Sequence, residues 1–132
     1  MKKTHTGSCH CGRVRLEAEF DLEAGSFRCN CSSCTKNRLW LAPVLPEDFR
    51  LVSGEGDLTE YESTQTLQYF CRVCGVRLFG RARDEAADGG FRNINLGCLD
   101  DVDATELVAV PVQYLDGRND DWGSTPSEFR HL

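Results

Sequence analysis

A chain of 132 residues, 40% hydrophobic and with a net charge of -6, is long enough for one domain with a modest core, taken here as residues 1–132. The acidic balance argues against a phosphate backbone as partner, so no nucleic acid is expected. No apolar run approaches transmembrane length and residues 1–8 lack the apolar core of a signal peptide, so no membrane is expected and the cytoplasm is the expected compartment.

The first chemical element in chain order is Cys9-His10-Cys11-Gly12. In a flat strand, positions i and i+2 lie about 6.6 Å apart, whereas two sulfurs on one tetrahedral zinc lie under about 4 Å apart. The backbone at His10 must therefore bend, and Gly12 helps it to. Val14, Leu16, Ala18 and Phe20 then alternate with charged residues, the period of two of a half-buried strand. Next comes Cys29-Asn30-Cys31-Ser32-Ser33-Cys34, three sulfurs within six residues.

An apolar stretch at 39–44, a short strand at 49–52 and a turn at 53–57 follow. Residues 67–70 lead into Cys71-Arg72-Val73-Cys74-Gly75 and residues 76–82 lead out, which reads as a hairpin whose turn is the CxxC. Residues 83–90 read as an exposed loop, 91–96 and 107–112 as further strands, and 100–103 as the start of one helical turn. No segment carries a sustained 3.6-residue apolar period. The chain is thus mainly β with short helical turns, in a sandwich or folded-over sheet.

Seven of the eight cysteines fall in these clusters. Four plus three is the thiolate count of one closed zinc site and one that keeps a position for a ligand. Cys9, Cys11, Cys71 and Cys74 form the closed set, with glycines that let the backbone curl around the sulfurs. A metal there would clip the N-terminal strand to the central hairpin and close a long loop. A redox CxxC is the rival reading, but such motifs open a helix, and a strand-like segment follows Cys74. Disulfides would need an oxidising compartment.

Cys29, Cys31 and Cys34 form the second set. Its fourth ligand is water, substrate, Cys98 or one of His5, His10 and His131. An iron–sulfur cluster is the minor alternative, because CxCxxC does not match the usual ferredoxin spacings. A three-thiolate zinc can hold an incoming thiol as thiolate or polarise a carbonyl oxygen. Lys36 and Arg38 follow the third cysteine as solvated charges or carboxylate contacts. Trp40 reads as core, and 116–122 reads as a turn anchored by Trp122.

Together, residues 7–14, 29–34 and 70–75, with 93–100 and 116–122, resemble the glutathione-dependent formaldehyde-activating family, also called centromere-protein-V-like. The resemblance runs in order over nearly the whole chain. It departs at Thr35-Lys36-Asn37-Arg38-Leu39-Trp40, where many members have small or glycine-rich residues. It implies folded-over antiparallel sheets stapled by zinc, like those of a small zinc protein that binds Rab GTPases. It implies two zincs per chain: Cys9, Cys11, Cys71 and Cys74 as structural ligands, and Cys29, Cys31 and Cys34 as catalytic ligands. The implied activity is that of a carbon–sulfur lyase, adding a glutathione-like thiol to a small aldehyde or reversing that addition. The competing reading is a non-enzymatic zinc module that binds a protein partner.

Overall fold

The computed structural model describes residues 1–84 and 89–132. Among these residues the strands are β1 (Lys3–Ser8), β2 (Arg15–Phe20), β3 (Ser26–Cys29), β4 (Leu41–Val44), β5 (Phe49–Ser53), β6 (Leu58–Glu62), β7 (Thr66–Cys71), β8 (Arg77–Ala82), β9 (Arg92–Asn95) and β10 (Val112–Leu115). Two short α-helices accompany them, α1 (Ser32–Asn37) and α2 (Ala104–Val108). Part of the loop expected at 83–90 lies outside the described residues.

The chain is mainly β, as expected, in two sheets. The first has the order β1-β2-β5 and the second β10-β3-β4-β9-β8-β7-β6. Pairing is antiparallel throughout except between β10 and β3, which run parallel. The alternation in β2 does what its period requires: Leu16, Ala18 and Phe20 are buried and face the second sheet. The second sheet answers with a register row, Ala42 to Ile94 to Phe79 to Tyr69, one residue from each of four adjacent strands. Phe79 stacks on Tyr69 at 4.7 Å and meets Phe49 of the first sheet at 4.6 Å. These rows share one buried cluster with Val44, Leu78 and Leu96.

The outer edge of β1 is covered by the segment that follows β9. Gly7 bridges to Leu99, and Asp100 N donates to Thr6 O at 2.8 Å. A side chain at Gly7 would stand 2.9 Å from the Cys98 carbonyl oxygen, so glycine is needed for this approach. This covers the Thr6–Gly7 end of the edge, where another strand could otherwise pair.

The strand expected at 107–112 is corrected. Most of that stretch belongs to α2 and the turn after it, and the strand begins at Val112. Asp103 accepts from Glu106 N at 2.8 Å, and the Glu106 carboxylate accepts from Asp103 N at 3.4 Å. This reciprocal cap satisfies two backbone donors and outweighs the β preference of Leu107 and Val108. Pro111 then ends the turn; it cannot donate to a ladder, but its carbonyl accepts from Ser26 N at 2.8 Å and starts the parallel pairing. Strands β1, β3 and β6 were not expected from the sequence. In β1 the buried positions are His5 and Gly7, which give no apolar signal, and the burial of β3 and β6 does not alternate.

Ile94 is completely buried at the centre of the register row. Ile94→Ala is expected to cost about 2–5 kcal/mol in urea unfolding, whereas Val52→Ala, on an exposed position, should change stability by less than about 0.5 kcal/mol. Equal effects would contradict the assignment of the core.

Two cysteine clusters and the adjoining cavity

The chain leaves β1 and reverses at once. Gly12 N donates to Cys9 O at 3.1 Å, and Cys9 N donates to Val14 O at 3.0 Å. Gly12 has φ of 81°, the left-handed conformation that the reversal needs. The bend anticipated at His10 is therefore present, and it brings the sulfurs of Cys9 and Cys11 to 3.6 Å. The β7–β8 hairpin makes a matching turn, with Gly75 at φ 80° and its N–H on Cys71 O at 2.8 Å. Cys11 Sγ stands 3.7 Å from Cys71 Sγ, and all four sulfurs of Cys9, Cys11, Cys71 and Cys74 lie within 4.8 Å of one another.

These spacings suit a tetrahedral thiolate cage, in which sulfurs about 2.3 Å from zinc stand about 3.8 Å apart. Backbone N–H groups support the cage: Val14 N meets Cys9 Sγ and Val73 N meets Cys71 Sγ, each at 3.4 Å. Hydrogen bonds from the backbone at Cys11 and Val76 hold the Cys74 thiol down, at about 6. Such donors favour the thiolate that a metal requires.

The second group forms where β3 runs into α1. Cys29 ends the strand, Cys31 caps the helix and Cys34 lies in its first turn. Cys31 Sγ accepts from Cys34 N and Cys29 Sγ accepts from Cys31 N, both at 3.4 Å. The three sulfurs again lie within 4.8 Å of one another. Hydrogen bonds from the Cys29 and Cys34 thiols hold the Cys31 thiol well below its ordinary value, and those with Cys29 and then Cys31 push Cys34 up.

Two buried amides brace this loop. Asn30 donates to Asp116 Oδ1 at 2.8 Å, and its oxygen accepts from Arg118 N at 2.9 Å. Arg118 Nε also donates to the Asn30 carbonyl at 3.2 Å. Gln68, on β7, donates to Ser33 Oγ at 2.9 Å, and its oxygen accepts from the Arg77 guanidinium. Gly117 lets the C-terminal turn close on the sulfurs: a Cβ there would sit 2.5 Å from Cys29 Sγ and 2.6 Å from Trp122 Cη2.

The group of three opens onto a cavity of about 860 Å³. Its floor is one face of the second sheet, built from two register rows: Phe27, Leu41 and Asn95, and then Asn93, Gly80 and Gln68. Arg77, Arg81 and Arg83 line it together with Asp84. Among the described residues, a chain of net charge -6 thus gathers three arginines against one aspartate here, with Arg83 also paired to Glu62.

None of the other candidate ligands joins the three sulfurs. Cys98 is buried and its thiol donates to the Arg77 carbonyl at 3.3 Å; burial pushes it up to about 12. His5 is buried against Phe20 with Nδ1 at 3.5 Å from Asp101 Oδ1, and His10 and His131 are exposed. Among the described residues, no further Cys, His, Asp or Glu atom lies within 4.8 Å of all three. All eight cysteines are free thiols. Trp40 packs on the core with Nε1 on Ser26 Oγ at 2.7 Å; Lys36 is exposed, and Arg38 donates to His131 O at 3.2 Å. In the turn at 116–122 the Trp122 indole donates to Asp120 Oδ1 at 2.8 Å and its ring lies beside Gly117, partly exposed. Gln68 and Asn30 were not singled out as braces, because their partners lie far away in the chain and leave no local pattern.

Residues 4–115 match the family described as glutathione-dependent formaldehyde-activating enzyme. A curated protein of Penicillium rubens, named by inferred assignment as a glutathione-dependent formaldehyde-activating enzyme, is 32% identical over 93 residues, 66% of this chain and 47% of its own length. The chain thus spans about half the length of that relative. The crystal structure of a Rhodobacter sphaeroides protein matches with a TM-score of 0.70 at 31% identity, over 82% of this chain and 99% of its own.

The closeness of Gly117 to Cys29 gives a test. Gly117→Ala should weaken zinc binding at the three-cysteine group about 10–100-fold in chelator competition, because the turn can no longer close on it. Cys98→Ser should leave the metal content unchanged. Loss of metal in Cys98→Ser, or wild-type affinity in Gly117→Ala, would contradict the geometry.

Proposed function

Since the chain belongs to the glutathione-dependent formaldehyde-activating family, we propose that it is a zinc-dependent carbon–sulfur lyase-type enzyme, joining a glutathione-like thiol to a small aldehyde or reversing that addition. Cys9, Cys11, Cys71 and Cys74 would hold a structural zinc, and Cys29, Cys31 and Cys34 a catalytic one. One observation carries the reading: three sulfurs meet at the wall of a large cavity, and no further Cys, His, Asp or Glu among the described residues closes the group. A four-thiolate site holds a fold, whereas a three-ligand site is the arrangement that reacts.

In the forward direction the thiol sulfur bonds to the carbonyl carbon. The C=O π pair moves to oxygen, and oxygen takes the thiol proton; the reverse breaks the same bond and returns the proton. A zinc held by the three cysteines supplies a Lewis-acid position that favours thiolate over thiol and polarises a carbonyl oxygen. The chain's own residues do the rest. Gln68 and Asn30 fix the loop that carries the sulfurs, so that the thiol meets a preset geometry. Arg77, Arg81 and Arg83 provide cations for the carboxylates of a peptide thiol. Phe27, Leu39 and Leu41 keep bulk water from the reacting carbon.

Partners in this reading are a small thiol and an aldehyde. The compartment is the cytoplasm; what supports it is that such chemistry and eight free thiols suit a reducing milieu. No helix among the described residues is long and apolar enough to cross a membrane.

Cys31→Ser is the direct test. The variant should fold, keep the four-cysteine metal, lose the second and fall at least about 1000-fold in thiol–aldehyde turnover. Full activity in that variant would refute the proposal.

A further inference from the structure

The cavity is divided along the sheet. Its floor on β10, β3 and β4 offers Leu115, Phe27 and Leu41, and Leu39 and the partly exposed Trp122 line the same cavity. Its floor on β9, β8 and β7 offers Asn93, Asn95, Arg77, Arg81 and Gln68. The division is set by register. Phe27 pairs with Leu41, which pairs with Asn95, so apolar and polar residues stand on one face and change character between β4 and β9. The three sulfurs belong to this same cavity, and Cys29 and Trp122 both stand close to Gly117, which has no side chain to keep them away.

A peptide-like thiol carries amides and carboxylates, which match the polar half. It has nothing to bury against Phe27, Leu41, Leu115 and Trp122. Formaldehyde fills almost none of a cavity of about 860 Å³, a size that suits drug-sized ligands. Apolar walls left against water cost free energy that a large apolar group recovers, and Phe27 and Trp122 add ring contacts. Resting on the reading of the site given above, we propose that the cavity takes sulfur–carbon adducts whose carbon half bears a bulky apolar group the size of an aromatic ring, seated between Trp122 and the Phe27–Leu41 floor. The reaction is unchanged and balances as before: sulfur and carbonyl carbon join or part, and one proton passes between sulfur and oxygen. The aldehyde is then an aromatic or similarly large one rather than formaldehyde.

The test is binding to the zinc-loaded full chain, read by calorimetry with non-reacting thioethers. S-benzylglutathione should bind at least tenfold more tightly than S-methylglutathione. Trp122→Ala should shrink that ratio below threefold, and Trp122→Phe, which restores a ring, should keep most of it. Leu41→Asn, placed on the floor, should shrink it independently. Equal binding of the two thioethers, or a ratio untouched by both Trp122→Ala and Leu41→Asn, overturns the inference. The thiohemiacetals of glutathione with benzaldehyde and with formaldehyde separate the two proposals. Turnover with a formaldehyde preference and no benzyl preference in binding overturns this one alone. A benzyl preference in binding without turnover of either adduct supports it and sinks the enzymatic reading.

Discussion

The packing of four sulfurs within 4.8 Å at the junction of the two sheets is the constraint on which the other parts depend. Four thiolates at that separation, two of them on the buried Cys9 and Cys71, would repel one another, so the arrangement suits a cation. What they join is the turn after β1 and the turn of the β7–β8 hairpin, one from each sheet. The hydrophobic rows explain why the sheets lie face to face. The sulfurs settle how they meet at this end, because each turn offers two ligands only when its backbone is curled by a left-handed glycine.

The hairpin carries that constraint onward. Its turn holds Cys71 and Cys74, while its strands hold Gln68 and Arg77. The Arg77 carbonyl accepts from Asn95 Nδ2 at 2.8 Å and from the Cys98 thiol, and its guanidinium donates to Gln68, which reaches Ser33 beside the second group. One residue therefore touches the surroundings of both clusters. Tying down the hairpin at its turn orders the polar wall of the cavity and, through Gln68, the loop of Cys31 and Cys34. The C-terminal turn braces the same loop from the other side through Asn30 and Gly117.

Spacing made much of this legible. The cysteine intervals separated a group of four from a group of three, the glycines marked where the chain curls, and the alternation in β2 named its buried face. These are local signals, carried by a few adjacent residues. The braces are not local: Asn30 to Asp116 and Gln68 to Ser33 exist only because the sheet order brings distant strands together. The strand expected at 107–112 failed for the opposite reason. A local signal was present and outranked, since the Asp103–Glu106 cap starts a helix where Leu107 and Val108 would accept a strand. Strand β6 pairs only with β7 in the sheet order and is mostly exposed, so its sequence did not need the alternation that reveals strands.

Cys98 stands in neither group and serves the hairpin instead. It is buried and close in sequence to Asn95, yet its thiol is turned to the Arg77 carbonyl on β8. Desolvation keeps that thiol protonated to high pH, so as the chain stands it is a hydrogen-bond donor to the hairpin rather than a free ligand. An ionised Cys98 would lose that hydrogen bond, while the Arg77 carbonyl would keep the Asn95 amide. The cysteines whose charge it feels are Cys9 and Cys74, so Cys98 belongs to the surroundings of the four-cysteine group and braces the hairpin there.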